Sequence, residues 1–227
     1  MMMNRLVPTV LILFLAAGCY SGDPNLDVSA PAEPTRSLAP SPTAASSETT
    51  PPSPPVVVAL PSWDVAGQCG VDRWAVKVGT DSDAVNIAKD AQVATLNVLA
   101  QIAAPPAVTS ALPRQAVERQ TFQVSATLVQ AKRESDSDYH LVLSEAGHTL
   151  VAEMPHPSCA KGSVLINQLT TARAAFDARF PQLQGRRSWV QLGVPVTVTG
   201  VAFFDDAHGQ TGEASNVLEL HPLLSLR

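Results

Sequence analysis

The sequence predicts a mainly β fold with α, in the element order β-β-β-α-β-β, preceded by a partly helical stretch and a long proline-rich segment. Three observations predict it: five short strand-like runs of which the first plainly alternates apolar and polar residues, one run with a helical period, and a stretch over residues 20–61 with little to bury. With 227 residues there is room for one domain plus an appendage, and 20 acidic against 15 basic side chains give a formal charge of -5. That balance argues against a protein that holds DNA or RNA by neutralising many phosphates, so no nucleic-acid partner is expected.

The elements follow in chain order. A short positive start ending at Arg5 precedes an almost wholly apolar run over residues 6–17, the layout of a secretory signal. It falls short of the roughly 20 residues a membrane-spanning helix needs. The run Leu15-Ala16-Ala17-Gly18-Cys19 resembles the lipobox of bacterial lipoproteins. That resemblance implies that residues 1–18 are removed and that Cys19 carries diacylglycerol, making the membrane a partner through a lipid anchor. At about 0.8 kcal/mol per buried CH₂, several acyl chains would hold lastingly. In that family an Asp after the Cys favours the inner membrane, and the Tyr20 found here implies the outer one where two exist. A signal cut near Cys19 without lipid is the other reading. Residues 19–61 are then a tether of Pro, Ser, Thr and Ala that cannot form a core. At about 3.1 Å per residue in polyproline II it could hold a domain on the order of 100 Å away.

Residues 62–227 read as one globular domain, an extension (62–118) followed by a strand-rich part (119–227). Besides Cys19 there remain Cys69 and Cys159, in a chain bound for an oxidising compartment, and a disulfide is the natural pairing. Residues 83–102, rich in Ala, Val, Leu and Ile, are expected to hold a helix ended by Pro105-Pro106. Residues 121–129 alternate as a half-wet strand. Polar residues 134–137 turn the chain into 139–143, and residues 145–148 turn it into 149–154, which Pro155 stops, so three strands form a meander. Over 163–180, Leu165, Ile166, Leu169, Ala172, Phe176 and Phe180 mark one face of a helix that Pro181 ends. Residues 194–204 and 217–226 read as two more strands around Gly209-Gln210-Thr211-Gly212. This order is that of an OB-fold, a five-stranded Greek-key barrel with its helix between strands three and four. A small sandwich is the other all-β solution.

The strings Arg73-Trp74-Ala75-Val76-Lys77, Asp136-Ser137-Asp138-Tyr139-His140-Leu141-Val142, Gly200-Val201-Ala202-Phe203-Phe204-Asp205, His208-Gly209-Gln210-Thr211-Gly212 and Glu219-Leu220-His221-Pro222 resemble those of a group of uncharacterised exported bacterial proteins. The resemblance supports residues 69–226 as a unit and implies no activity.

Chemistry-bearing residues recur at strand spacing. Asp136, Asp138 and His140 share a face if the second strand begins at Asp136; Glu219 and His221 repeat the i, i+2 arrangement, and Asp205, Asp206 and His208 follow the fourth strand. Carboxylates and imidazoles of this kind bind Zn, Mn or Ca and can activate water. Asp138, His140, Glu219 and His221 are the foremost candidates for a metal or catalytic centre, with Asp136, Asp205 and His208 secondary. The plain alternative is that they form the solvent face of a half-wet sheet. Trp63, Trp74, Trp189, Phe203 and Phe204 read as packing rather than ligand platforms. No Gly-x-Ser-x-Gly elbow, P-loop or Gly-x-Gly-x-x-Gly is present, and the Gly-Asp-Thr and paired-Arg pattern of staphylococcal-type nucleases is missing. Two functions stay open. One is a non-enzymatic binding module engaging an envelope protein, glycan or small ligand with no cofactor expected; the other is a metal-dependent, phosphoesterase-like hydrolase.

Overall fold

A computed structural model describes residues 68–227. The expected signal segment, Cys19, the tether and Trp63 lie outside the described residues. Within them run helix α1 (Trp74–Val78), strand β1 (Ala91–Val93), helix α2 (Leu96–Ala100), strands β2 (Thr121–Arg133), β3 (Tyr139–Glu145) and β4 (His148–Met154), helix α3 (Ile166–Arg179), and strands β5 (Val190–Phe204) and β6 (Leu218–Leu226). The architecture is a six-stranded mixed sheet with a few helices. Among the described residues no helix is long and apolar enough to cross a membrane.

The strands lie in the order β1-β2-β3-β4-β6-β5, and β2 also pairs with β5. The meander β2-β3-β4 is antiparallel throughout. The β4–β6 contact is parallel, through Ala152 and Leu220, while β5 runs antiparallel to both β6 and β2. One edge of β2 serves two neighbours: β1 lies parallel along 121–123 and β3 takes 127–133, with a bulge between Leu128 and Gln130. A bulge bends its strand and raises the local twist, which lets the long β2 serve both.

The alternation in sequence becomes two faces. Val124, Leu128, Tyr139, Leu141, Ala152, Met154, Leu218 and Leu220 point into the main core, which α3 covers with Ala172, Phe176 and Phe180. A second cluster, Val78, Ala84, Ile87, Ala160, Leu165, Leu169 and Val201, seats the N-terminal extension. A buried polar knot joins α1 to the sheet. The guanidinium of Arg73 donates to Glu118 (2.8 and 2.7 Å) and to the Phe204 carbonyl (2.7 Å), and Glu118 also accepts the backbone N–H groups of Phe204 (2.8 Å) and Gln115 (2.6 Å).

Two expectations are narrowed. The helix expected within residues 83–102 is present as the short α2 alone, which shares the stretch with a 3₁₀ turn at Ala84–Asn86 and strand β1. The Ala88 N–H donates to the Arg119 carbonyl and the Ala94 N–H to that of Gln123, so pairing with β2 outweighs helix propensity. Thr95 then caps α2 by accepting the Val98 N–H. Second, β3 begins at Tyr139, so Asp136 is not on the strand. It belongs to a turn in which Ser137 has φ 78° and the Asp136 carboxylate accepts the Asp138 N–H (3.2 Å). The Cys69–Cys159 pair stands at disulfide distance, with Cα atoms 5.6 Å apart across 90 residues.

Candidate functional site

Asp138, His140, Glu153, Glu219 and His221 alternate with core residues and therefore project from the opposite face of the sheet. That face is not wet at this point. Asp138, His140, Glu219 and His221 are each 1–2% exposed, which overturns the solvent-face alternative for these four. The N-terminal extension covers them. Arg73 is fixed by its knot, and Lys77, one helical turn on, reaches the same face of α1, with both cations over the Phe203 ring (4.7 and 5.2 Å).

Strand register brings the groups together. His140 is the cross-strand partner of Glu153, and the Ala152–Leu220 pairing sets Glu153 beside Glu219 and His221. Glu153 is the hub: Oε1 lies 3.1 Å from His140 Nδ1 and Oε2 lies 3.1 Å from His221 Nδ1. His221 Nδ1 is also 3.5 Å from Glu219 Oε1, and its Nε2 is 3.9 Å from Asp138 Oδ2. Lys77 Nζ stands 3.4 Å from Asp205 and 4.0 Å from both Glu153 and Glu219.

These contacts set the charges. His140 Nε2 faces the Thr211 carbonyl at 3.0 Å while Nδ1 faces Glu153, so both ring nitrogens point at acceptors. Burial alone would lower the His140 pKa, but the Glu153 hydrogen bond and charge reverse this and it is raised. Burial also works against the His221 cation, and the Glu153 and Glu219 carboxylates overcome it, lifting the pKa to about 9. Asp138 is pushed up to about 7, chiefly by burial, with His221 opposing. Glu219 is raised by burial and by the Glu153 charge, whereas Glu153, despite its burial, is held well below the usual range by the two imidazoles and Lys77. Not every polar atom is satisfied. Asp138 Oδ2, Glu219 Oε1 and both nitrogens of His221 are buried without a hydrogen bond, since the carboxylates near Nδ1 are close but poorly aligned. Asp138, Glu153 and His221 each offer a ligand atom, all within 4.8 Å of one another.

Above the cluster opens a cleft of about 420 Å³ lined by Asp72, Glu134, Asp136, Glu153, Asp205 and Asp206, with Lys77, His140 and His208 as its titratable nitrogen groups. His208 is exposed and outside the buried set; its Nδ1 lies 2.7 Å from the Asp206 carbonyl. Asp136 is half-buried on the rim, and Asp205 is buried beside Lys77. The disulfide flanks the site. Trp74 Nε1 donates to the Cys159 carbonyl (3.0 Å), and the indole meets His221 edge-on at 6.4 Å. Gly70 permits this packing, because a Cβ there would fall 2.5 Å from the Trp74 ring. Phe203 also flanks His221, and Trp189 stands edge-on to His140 at 5.2 Å, so Trp74, Trp189 and Phe203 wall the imidazoles while Phe204 joins the main core.

Sequence reasoning missed Glu153 and Lys77. A single carboxylate closing the apolar run Leu150-Val151-Ala152 was the available signal for the first, and an isolated lysine in an acidic chain for the second. In comparisons with known proteins, no family model, curated protein or solved structure matches this chain.

Proposed function

We propose that this chain is an exported envelope lipoprotein, anchored through Cys19 and spaced by residues 19–61, whose domain is an OB-like barrel acting as a non-enzymatic binding module for an organic cation. Several features support the barrel. Pairings run from β2 through β3, β4, β6 and β5 back to β2, β4 and β6 are parallel, and α3 joins β4 to β5. The cleft borders its second and third strands, β3 and β4, the face through which such barrels commonly bind.

The observation that carries the ligand class is charge. Six carboxylates line the cleft against one lysine, and its volume suits a small ligand or one extended amine-bearing segment. The acidic rim draws cations in and repels phosphate esters, and Asp138 and His221 lie beneath the surface, each 1% exposed. Both points favour binding over hydrolysis. Calorimetric titration of the mature chain with spermine tests the reading. Binding that weakens about tenfold in D72N/D206N and fades with added salt is expected; no heat, or binding indifferent to these two rim charges, refutes it. The anchor is tested separately by mass spectrometry of the mature N-terminus: diacylglycerol on Cys19 supports it, and an unmodified cysteine refutes it.

A further inference from the structure

We propose that Asp138, Glu153 and His221 form a buried site for one divalent cation of the zinc class. The inference goes beyond the organic-cation reading: its ligands form the floor beneath the cleft, and Glu153 alone is shared with the cleft lining.

The three residues come from separate segments, the turn before β3, β4 and β6, and the register that aligns Glu153 with His140 and Ala152 with Leu220 brings them together. Acidic clustering alone would mean little. What points to an ion is a pair of side chains, each 1% exposed, that aim unpartnered atoms at one another: Asp138 Oδ2 and His221 Nε2, 3.9 Å apart with no hydrogen bond. Two ligands on a tetrahedral zinc with bonds of 2.0–2.1 Å are separated by roughly 3.4 Å, so a small rotation of either side chain closes the geometry. Glu153 supplies the third ligand, and as the member that also lines the cleft it marks the route of entry.

The remaining atoms of the three ligands already have neighbours of the kind that orient metal ligands. Asp138 Oδ1 accepts the His156 N–H at 3.1 Å, Glu153 Oε1 faces His140, and His221 Nδ1 faces Glu153 Oε2 at 3.1 Å and Glu219 Oε1 at 3.5 Å, carboxylates on the far side of the imidazole from Nε2. Charge points the same way. Lys77 serves Asp205, Glu153 and Glu219, while His221 Nε2 stands 3.9 Å from Asp138 Oδ2. One imidazole with two carboxylates suits zinc, and the same donor set admits cobalt or manganese; calcium and magnesium prefer all-oxygen sites.

The test uses the disulfide-intact mature chain, stripped with chelator and titrated with Zn²⁺, Co²⁺ and Ca²⁺ in turn. One equivalent of zinc surviving gel filtration is expected, with affinity reduced at least 100-fold in D138N and in H221Q and unchanged in H208Q, an exposed histidine of the same cleft. Absence of stoichiometric uptake, calcium bound as tightly as zinc, or loss in H208Q with retention in H221Q would each overturn the site. Should D138N or H221Q fail to fold, X-ray absorption of the cobalt-loaded wild type decides: imidazole in an oxygen-rich shell supports the assignment, and a shell without imidazole ends it.

Discussion

Replacing Glu118 by Gln tests whether the polar knot is what holds the lid on the site. Glu118 is 0% exposed and accepts four hydrogen bonds, two from Arg73 and one each from the Phe204 and Gln115 backbones. Glutamine fits the space but turns one acceptor oxygen into a donor, so an Arg73 N–H and a backbone N–H on that side both lose their partner. Removing one member of a buried ion pair costs about 3–5 kcal/mol. Arg73 keeps the carbonyls of Leu112, Pro113 and Phe204, which argues for the lower end, about 3 kcal/mol. With a urea slope of about 2 kcal/mol per molar, the midpoint should fall by about 1.5 M without a change in slope. Urea titration followed by tryptophan fluorescence reads it. The double variant R73M/E118L removes both charges and should recover much of the loss, because well-packed apolar replacements of a buried pair are often neutral. A fall under about 1 kcal/mol in E118Q, or a double variant as weak as the sum of the singles, would refute the reasoning.

Other outcomes follow from the same contacts. Replacing both Cys69 and Cys159 by Ser opens a covalent loop across 90 residues, for which the chain-entropy relation gives about 4–5 kcal/mol; a thermal midpoint within 3 °C of wild type would contradict it. In G212A the new Cβ would fall 2.8–2.9 Å from the Val142 methyls at a φ of +90°, costing about 1–3 kcal/mol. The shift should pull the Thr211 carbonyl off His140, so NMR titration should show the His140 pKa falling, with partial recovery in G212A/V142A. In metal-free protein the raised pKa of His221, about 9, means the folded state binds that proton more tightly than the unfolded chain. The resulting stability is complete below about pH 6.5 and is lost as pH rises through about 9, amounting to about 3 kcal/mol. Denaturation midpoints measured between pH 6 and 10 should show this alkaline decline in wild type and not in H221Q.

Much of the fold was legible because a strand with one face on a core writes its period into the sequence, and the five runs and α3 appear near their predicted places. The cysteine pair was legible from the cysteine count and the export expected from the sequence. In residues 83–102 the helix was legible but the strand before it was not, because an apolar composition serves a strand beside β2 as readily as a helix, and only the partner decides. The candidate site was half legible. Spacing singled out Asp138, His140, Glu219 and His221, but their burial depends on α1 lying over them, a contact between segments more than sixty residues apart that no local pattern encodes. Glu153 escaped for a related reason: its significance comes from cross-strand register with His140, and a lone acidic residue at a strand end carries no mark of its neighbours.

The position of the sulfur bridge has a mechanical consequence. A pull arriving from the N-terminal side enters the fold at Cys69 and crosses to Cys159, in the turn between β4 and α3, before any tension reaches α1. The helix bearing Trp74 and Lys77 is thus a slack branch off the load path. Cut the bridge, and the same tug would peel that helix away first, uncovering the imidazoles while the sheet still stood.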